Sequence, residues 1–277
     1  FICPTGFYGA ERWIVALANN IDKSMVRCDL AVTQESSSQD LSLVEQYPLG
    51  ENQTFKVPMN GRFDFSVVNR LVDIIKHRKI DIIHTHGYKS DILGLLAAKK
   101  AGITSVVTPH GFGELSDWKL KLYVKLGCFS FKFFDAVVPL SRQLMTELQQ
   151  MGIKSQRLSY IANGVDLSEV DAIRLDISLK NANKKIKRIG FIGALRQGKN
   201  VSQMLDVFNI VWLSDNNCEL VLVGDGNERE ALELQASKLP CFNAIKFMGF
   251  RADRLEILSQ LDLFVLTSLF EGIPRCL

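Results

Sequence analysis

Three short stretches carry residue types that could do chemistry. The first is Gly193-Ala194-Leu195-Arg196-Gln197-Gly198-Lys199-Asn200, which follows an apolar run and precedes a helical pattern. A glycine loop leading from a strand into a helix exposes backbone N–H groups and the positive end of the helix, and a lysine there neutralises an anion. The chemistry is phosphate or diphosphate binding. The second is the pair His86 and His110, each at the end of a strand-like run and before a glycine. A lone histidine is ordinarily structural; two at one edge of one sheet turn the reading towards a site. The third is Glu271-Gly272-Ile273-Pro274. A carboxylate there accepts hydrogen bonds from a hydroxyl-rich ligand, Gly272 lets backbone approach it, and Pro274 stiffens the turn.

The elements that must position these groups alternate between strand and helix, the pattern of parallel sheets with helices on their faces. Phe1–Pro4 reads as a strand end, followed by the turn Gly6-Phe7-Tyr8-Gly9-Ala10-Glu11 and a helix over Arg12–Ile21. That turn is a second anion-loop candidate, although Gly6 and Gly9 are not a G-x-G-x-x-G and an ordinary tight turn fits equally. Strands are expected at 26–32, 80–85, 105–109, 136–139 and 157–161, and helices at 65–77, 91–101, 117–134 and 142–151, the last capped by Ser141. Residues 34–61 read as a loop-rich insertion with short strands. The second half repeats the pattern, with strands at 188–192, 219–223, 244–248 and from 262, and helices from 201, up to 237 and over 254–261. The boundaries implied are a first domain at 1–165, a polar, basic linker at 166–186 and a second domain at 187–277.

Composition narrows the class. A chain of 277 residues with 47% hydrophobic and 23% charged residues is long enough for two ordinary globular domains. A net charge of +3 is too small to point to a nucleic-acid partner. The six cysteines form no C-x-x-C, so free thiols in a reducing cytosol are expected. No apolar run approaches the ~20 residues of a membrane span. Residues 117–134 interleave Lys119, Lys121, Lys125 and Lys132 with Trp118, Leu122, Tyr123, Leu126, Phe129 and Phe133. A core-facing helix with lysines on its rim gives that pattern, and so does a surface that touches anionic lipid.

Two families of loop fit 193–200. In a P-loop NTPase the G-x-x-x-x-G-K spacing is met, but Asn200 stands where a Ser or Thr hydroxyl would ligate Mg²⁺. The other resemblance runs along the whole chain. Gly9-Ala10-Glu11, Thr108-Pro109-His110-Gly111, Asn163-Gly164-Val165-Asp166, the loop ending at Lys199, Val223-Gly224-Asp225-Gly226, Phe247-Met248-Gly249 and Glu271-Gly272-Ile273-Pro274 follow in order. The series resembles family 4 glycosyltransferases of the GT-B fold: α/β, two Rossmann-like domains with parallel sheets facing across a cleft. The resemblance implies Lys199, Arg196 and Gly9 on the donor diphosphate, with Ala194 in the slot usually held by Arg. It implies Gly193, Gly224, Gly249 and Gly272 beside nucleotide and sugar, and His110 and Glu271 at the catalytic centre. His86 and Glu11 fall on the acceptor side. The family's second Glu would fall past Leu277, so the chain reads as cut there, and Phe1-Ile2-Cys3 reads as the tail of a strand.

The expected activity is transfer of a sugar from a nucleotide-diphosphate sugar to a glycan or lipid-linked acceptor, retaining by resemblance. No D-x-D occurs, so no metal site is expected and no cofactor beyond the donor substrate. Other expectations are a cytoplasmic location at the inner face of the membrane, peripheral membrane contact through 117–134 and no nucleic-acid partner. A GT-B sugar-nucleotide epimerase, a P-loop-like nucleotide-binding module and a degenerate binding module remain the alternatives.

Overall fold

The computed structural model describes residues 1–4, 6–36, 39–61, 64–111, 125–167, 170–171 and 186–269. The chain divides into two compact units, Phe1–Val165 and Asp166–Leu277.

The first unit runs α1 (Gly9–Asn20), β1 (Leu30–Gln34), β2 (Thr54–Pro58), α2 (Ser66–Arg78), β3 (Ile82–Thr85), α3 (Tyr88–Ala101), β4 (Thr104–Val107), β5 (Ala136–Val137) and α4 (Arg142–Gln150). β1 pairs with β2, and β3 with β4 and β4 with β5, all parallel. Ile2 joins the two pieces, bridging Val32 of β1 on one side and His86, just past β3, on the other. The order is therefore β2-β1-Ile2-β3-β4-β5. From Ile2 the chain builds outward one way, then returns to build the other. The reversal lies between Ile2 and β3, and open α/β sheets bind ligands at the carboxyl edge of such a switch point.

Packing fixes these elements in place. Val67, Val68, Leu71, Val72 and Ile75 form the buried stripe of α2, at helical spacing. Lys76, His77 and Arg78 occupy its last turn, where cations suit the helix dipole. α3 lies close against β3 because Gly94 has no side chain; a Cβ there would sit 2.4 Å from Thr85 Cγ2. Ser141 caps α4, its Oγ accepting from Leu144 N at 3.1 Å, which accords with the sequence expectation. Phe131 and Phe134 are fully buried, each worth about 2–3 kcal/mol of transfer free energy.

Two expectations need correction. The stretch 34–61, expected as a loop-rich insertion, supplies β2, paired residue for residue with β1 from Leu30↔Thr54 to Gln34↔Pro58. An edge strand buries little, and in β2 only Val57 is fully buried, so it lacked an apolar run. Conversely, 157–161 forms no strand and contributes the single bridge Val137↔Leu158. Of the helix expected over 117–134, residues 117–124 lie outside the described residues. Residues 125–130 are helical and lead into the 3₁₀ turn Phe131–Phe133.

The second unit contains β6 (Lys187–Ile192), α5 (Val201–Ser214), β7 (Cys218–Val223), α6 (Arg229–Ala236), β8 (Ile245–Gly249), α7 (Arg254–Ser259) and β9 (Leu263–Phe264). The strands are all parallel in the order β8-β7-β6-β9. β7 is buried along its whole length, as a central parallel strand covered on both faces must be. Phe191, Leu195, Val201, Leu205, Phe208, Leu220 and Leu222 make the core beneath α5. β6 is again where the chain reverses its direction of growth, with β7 on one side and β9 on the other.

Candidate functional site

In the second unit, the loops that leave β6 and β9 part at the switch point and are tied together just above it. Thr267 Oγ1 donates to the carbonyls of Asn200 (2.9 Å) and Lys199 (3.1 Å). Leu269 N donates to Gly198 O at 3.0 Å. The β6 loop forms a 3₁₀ turn over Gln197–Lys199. It enters α5 through Asn200, whose φ of 50° is left-handed, a conformation Asn tolerates better than most side chains. Lys199 is half-buried and Arg196 exposed. The Asn200 amide donates to Gln203 Oε1 at 2.6 Å and does not cap the helix. The amides of the first turn of α5 therefore receive no cap from Asn200, and a 14-residue helix presents a partial positive charge there. An Asn committed to Gln203 is also a poor substitute for the Mg²⁺-binding hydroxyl of a P-loop.

Gly193, Gly224 and Gly249 stand together at the carboxyl ends of β6, β7 and β8. Gly193 N donates to Val223 O at 2.9 Å, and Gly224 N to Gly249 O at 2.8 Å. Gly224 has a φ of 134°, and a Cβ there would lie 1.8 Å from Gly193 O. Only glycine fits. In this structure these residues knit the strand ends under the Lys199 loop. Asp225 caps the adjoining turn through Gly226 N at 2.8 Å and pairs with Arg229 at 3.0 Å.

In the first unit the switch point holds a cluster of aromatic rings. Residues two apart on a strand face the same way, so His84 and His86 share a face, with ring centroids 4.4 Å apart. His86 Nδ1 lies 3.1 Å from His110 Nε2, and His84 Nε2 lies 2.7 Å from Thr108 Oγ1. Trp13, from α1, packs against the three imidazoles at 5.1–5.9 Å between centroids. Burial above all pushes the His84 imidazole down to about 3. Burial and the two other imidazoles hold His86 well below its ordinary value. His110 is exposed, whereas His86, expected on the acceptor side, is 4% exposed and lies behind it.

α1 begins beside this cluster. Glu11 is buried, its carboxylate accepts from Tyr8 N at 3.0 Å, and burial raises its pKa. Among the described residues, a Cβ on Gly9 would meet nothing within 4 Å, so none of them demands glycine there.

The structure thus brings His86 and His110 together in the first unit. In the second, Arg196 and Lys199 share one turn above Gly193, Gly224 and Gly249. Glu271 and Gly272 lie outside the described residues. Sequence reasoning missed His84, Trp13 and Thr267. The His84-x-His86 alternation was a readable signal for the first; Trp13 and Thr267 arrive through tertiary packing and leave no local mark. Among the described residues no cluster of three or more His, Cys, Asp or Glu could hold a metal ion, and no helix is long and apolar enough to cross a membrane.

Comparison with known proteins adds to this geometry. The sequence profile of Glycosyltransferase Family 4 matches residues 7–169, and that of Glycosyl transferases group 1 matches residues 175–277. The chain is 31% identical over 225 residues to the Escherichia coli UDP-Gal:alpha-D-GlcNAc-diphosphoundecaprenol alpha-1,3-galactosyltransferase, covering 76% of this chain and 58% of that protein. It is 27% identical to the Campylobacter jejuni N,N'-diacetylbacillosaminyl-diphospho-undecaprenol alpha-1,3-N-acetylgalactosaminyltransferase, covering 74% of this chain and 57% of that one. The chain therefore spans less than two thirds of these relatives. Among solved structures, the Anabaena protein HepE in complex with UDP and glucose superposes with a TM-score of 0.74 at 19% identity, over 98% of this chain and 74% of that one. The lipopolysaccharide outer core galactosyltransferase WaaB gives a TM-score of 0.69 at 19% identity, over 99% and 75%. These structural likenesses establish the fold.

Proposed function

Because the chain belongs to glycosyltransferase family 4 and has the GT-B fold, we propose that it transfers a hexose from a UDP-sugar to a glycan carried on a polyprenyl diphosphate. The observation that carries this reading is the second unit's switch point. Arg196 and Lys199 belong to the loop that enters α5, the first turn of α5 is not capped by Asn200, and Thr267 fastens that loop to the one leaving β9. Breaking the bond between the anomeric carbon and the diphosphate leaves negative charge on the departing oxygen. Fixed cations and helix amides aimed at that charge lower the barrier. This arrangement does the work that other transferases give to a divalent metal, so transfer proceeds without one. By its resemblance to the family, Gly9 is assigned to the donor diphosphate as well. Glu271 and Gly272 are assigned to the donor sugar, and His110 to the reacting centre. Transfer retains the anomeric configuration, as in the family it belongs to.

The donor and acceptor classes follow the curated relatives, which are named for undecaprenyl-diphosphate-linked substrates. A lipid-linked acceptor calls for contact with the membrane surface. Leu126, Phe129 and Phe133 are exposed at 53%, 55% and 50% beside exposed Lys125 and Lys132. Apolar side chains flanked by lysines suit an anionic headgroup layer, and the protein acts at the inner face of the membrane. The test is a transfer assay: the full-length protein, UDP-galactose, UDP-glucose or UDP-N-acetyl forms, and polyprenyl-diphosphate-linked N-acetylhexosamine, with EDTA present. The expected result is an extended lipid-linked disaccharide and released UDP. Epimerised donor without acceptor, or UDP binding with no transfer from any donor, would overturn the reading.

A further inference from the structure

His86 occupies an unusual position. Its backbone is held on both sides, His86 N donating to Phe1 O at 3.2 Å and Ser90 Oγ donating to His86 O. Its ring packs against those of Trp13, at 5.1 Å between centroids, and His84, at 4.4 Å, the latter fixed by Thr108 Oγ1 at 2.7 Å. It is 4% exposed, so a substrate reaches it only through its neighbour. Its Nδ1 lies 3.1 Å from His110 Nε2. We propose that His86 is a positioning residue that orients the exposed His110 ring and fixes which of its nitrogens carries the proton. This inference rests on the reading of His110 as a group at the reacting centre.

The reasoning is stereochemical. A neutral imidazole has one N–H donor and one acceptor nitrogen. The Nδ1···Nε2 contact needs one donor and one acceptor, so the proton on one ring dictates the proton on the other. His86 is buried against Trp13 and His84, whereas His110 is exposed, so His86 is the fixed member of the pair and His110 conforms to it. His86 is held uncharged by burial and by the adjacent imidazoles, so over the neutral range the pair does not acquire a second proton from its side. The state of His110 Nδ1, the other nitrogen of the ring, thereby follows from the tautomer that His86 holds. An oriented tautomer is what a histidine at a reacting centre needs, and it is commonly supplied by the group bonded to the second ring nitrogen.

The experiment compares the full-length protein with His86→Leu, which removes the bond at similar volume, and His86→Asn, whose amide stands near the Nδ1 position and keeps a polar partner. The first readout is the His110 tautomer from ¹H–¹⁵N spectra of the imidazoles, which needs no substrate. The expected result is a single tautomer in the parent and in His86→Asn and a mixture in His86→Leu. The second readout is kinetic: kcat falls about tenfold to a hundredfold in His86→Leu, as when the partner of a functional histidine is removed. KM for the nucleotide sugar stays within about twofold, and His86→Asn recovers most of kcat. An unchanged His110 tautomer in folded His86→Leu overturns the inference whatever the activity. A changed tautomer with unchanged kcat supports the positioning role and removes His110 from the proposed chemistry.

Discussion

Asp91 offers a quantitative test of the packing that sets the first unit's switch point. It lies in the first turn of α3, directly after His86 and Gly87, and is 1% exposed. Its Oδ1 has no hydrogen-bond partner among the described residues. Burial pushes the carboxyl from 3.8 up to about 8, against an opposing hydrogen bond with Thr85. Between pH 4 and 8 the unfolded chain has therefore lost this proton and the folded chain keeps it. Stability must fall as pH rises through that window and level off above it. The slope is about 1.4 kcal/mol per pH unit, so the difference accumulated across the window is on the order of 5 kcal/mol. Asp91→Asn replaces the protonated carboxyl by a neutral amide of the same shape and removes the titration. The two proteins should be about equally stable near pH 4, with the Asp91→Asn variant gaining steadily on its parent towards pH 8. Urea unfolding followed by circular dichroism at half-unit pH steps measures this. A pH-independent difference, or a parent that gains on the variant as pH rises, would refute the buried-acid reasoning.

Three further outcomes follow from the contacts. Thr267→Val removes the hydroxyl bonded to Lys199 O and Asn200 O; melting by scanning fluorimetry should show a loss of about 1–2 kcal/mol and a weaker UDP-induced shift, and an undiminished shift would count against the staple. Gly224→Ala forces a methyl to 1.8 Å from Gly193 O at a φ of 134°, so denaturant unfolding should show a loss of at least ~3 kcal/mol; a near-native midpoint would contradict the close approach. Phe129→Ser with Phe133→Ser should reduce flotation with anionic liposomes and leave neutral liposomes unbound; unchanged flotation would place the lipid contact elsewhere.

Much of the fold was legible because buried parallel strands are written as apolar runs. Ile82-Ile83, Val106-Val107 and Leu220–Val223 announce themselves, and the glycines after them mark the carboxyl edges. β2 was not legible: at the sheet's edge Thr54-Phe55-Lys56-Val57-Pro58 buries one side chain fully and so reads as loop. Leu158 misled in the opposite sense, since an apolar residue that makes one bridge looks in sequence like one inside a strand. The diphosphate loop could be read because its cations and glycines are contiguous. The imidazole cluster could be read only in part, because its depth depends on Trp13 arriving from α1. The glycines at 193, 224 and 249 were noticed as ligand-side residues, yet their steric necessity comes from the neighbouring strand end, which no local pattern reveals. Thr267, 68 residues from Lys199, illustrates the same limit.

The most direct measurement is single-turnover transfer from UDP-sugar by the full-length Lys199→Ala protein beside its parent, with thermal unfolding of both. If Lys199 stabilises the departing diphosphate, the rate should fall by about 3–4 kcal/mol, roughly a hundredfold to a thousandfold, while the melting temperature barely moves. A Lys199→Ala protein that is equally stable and transfers sugar at the parent's rate would contradict the central claim.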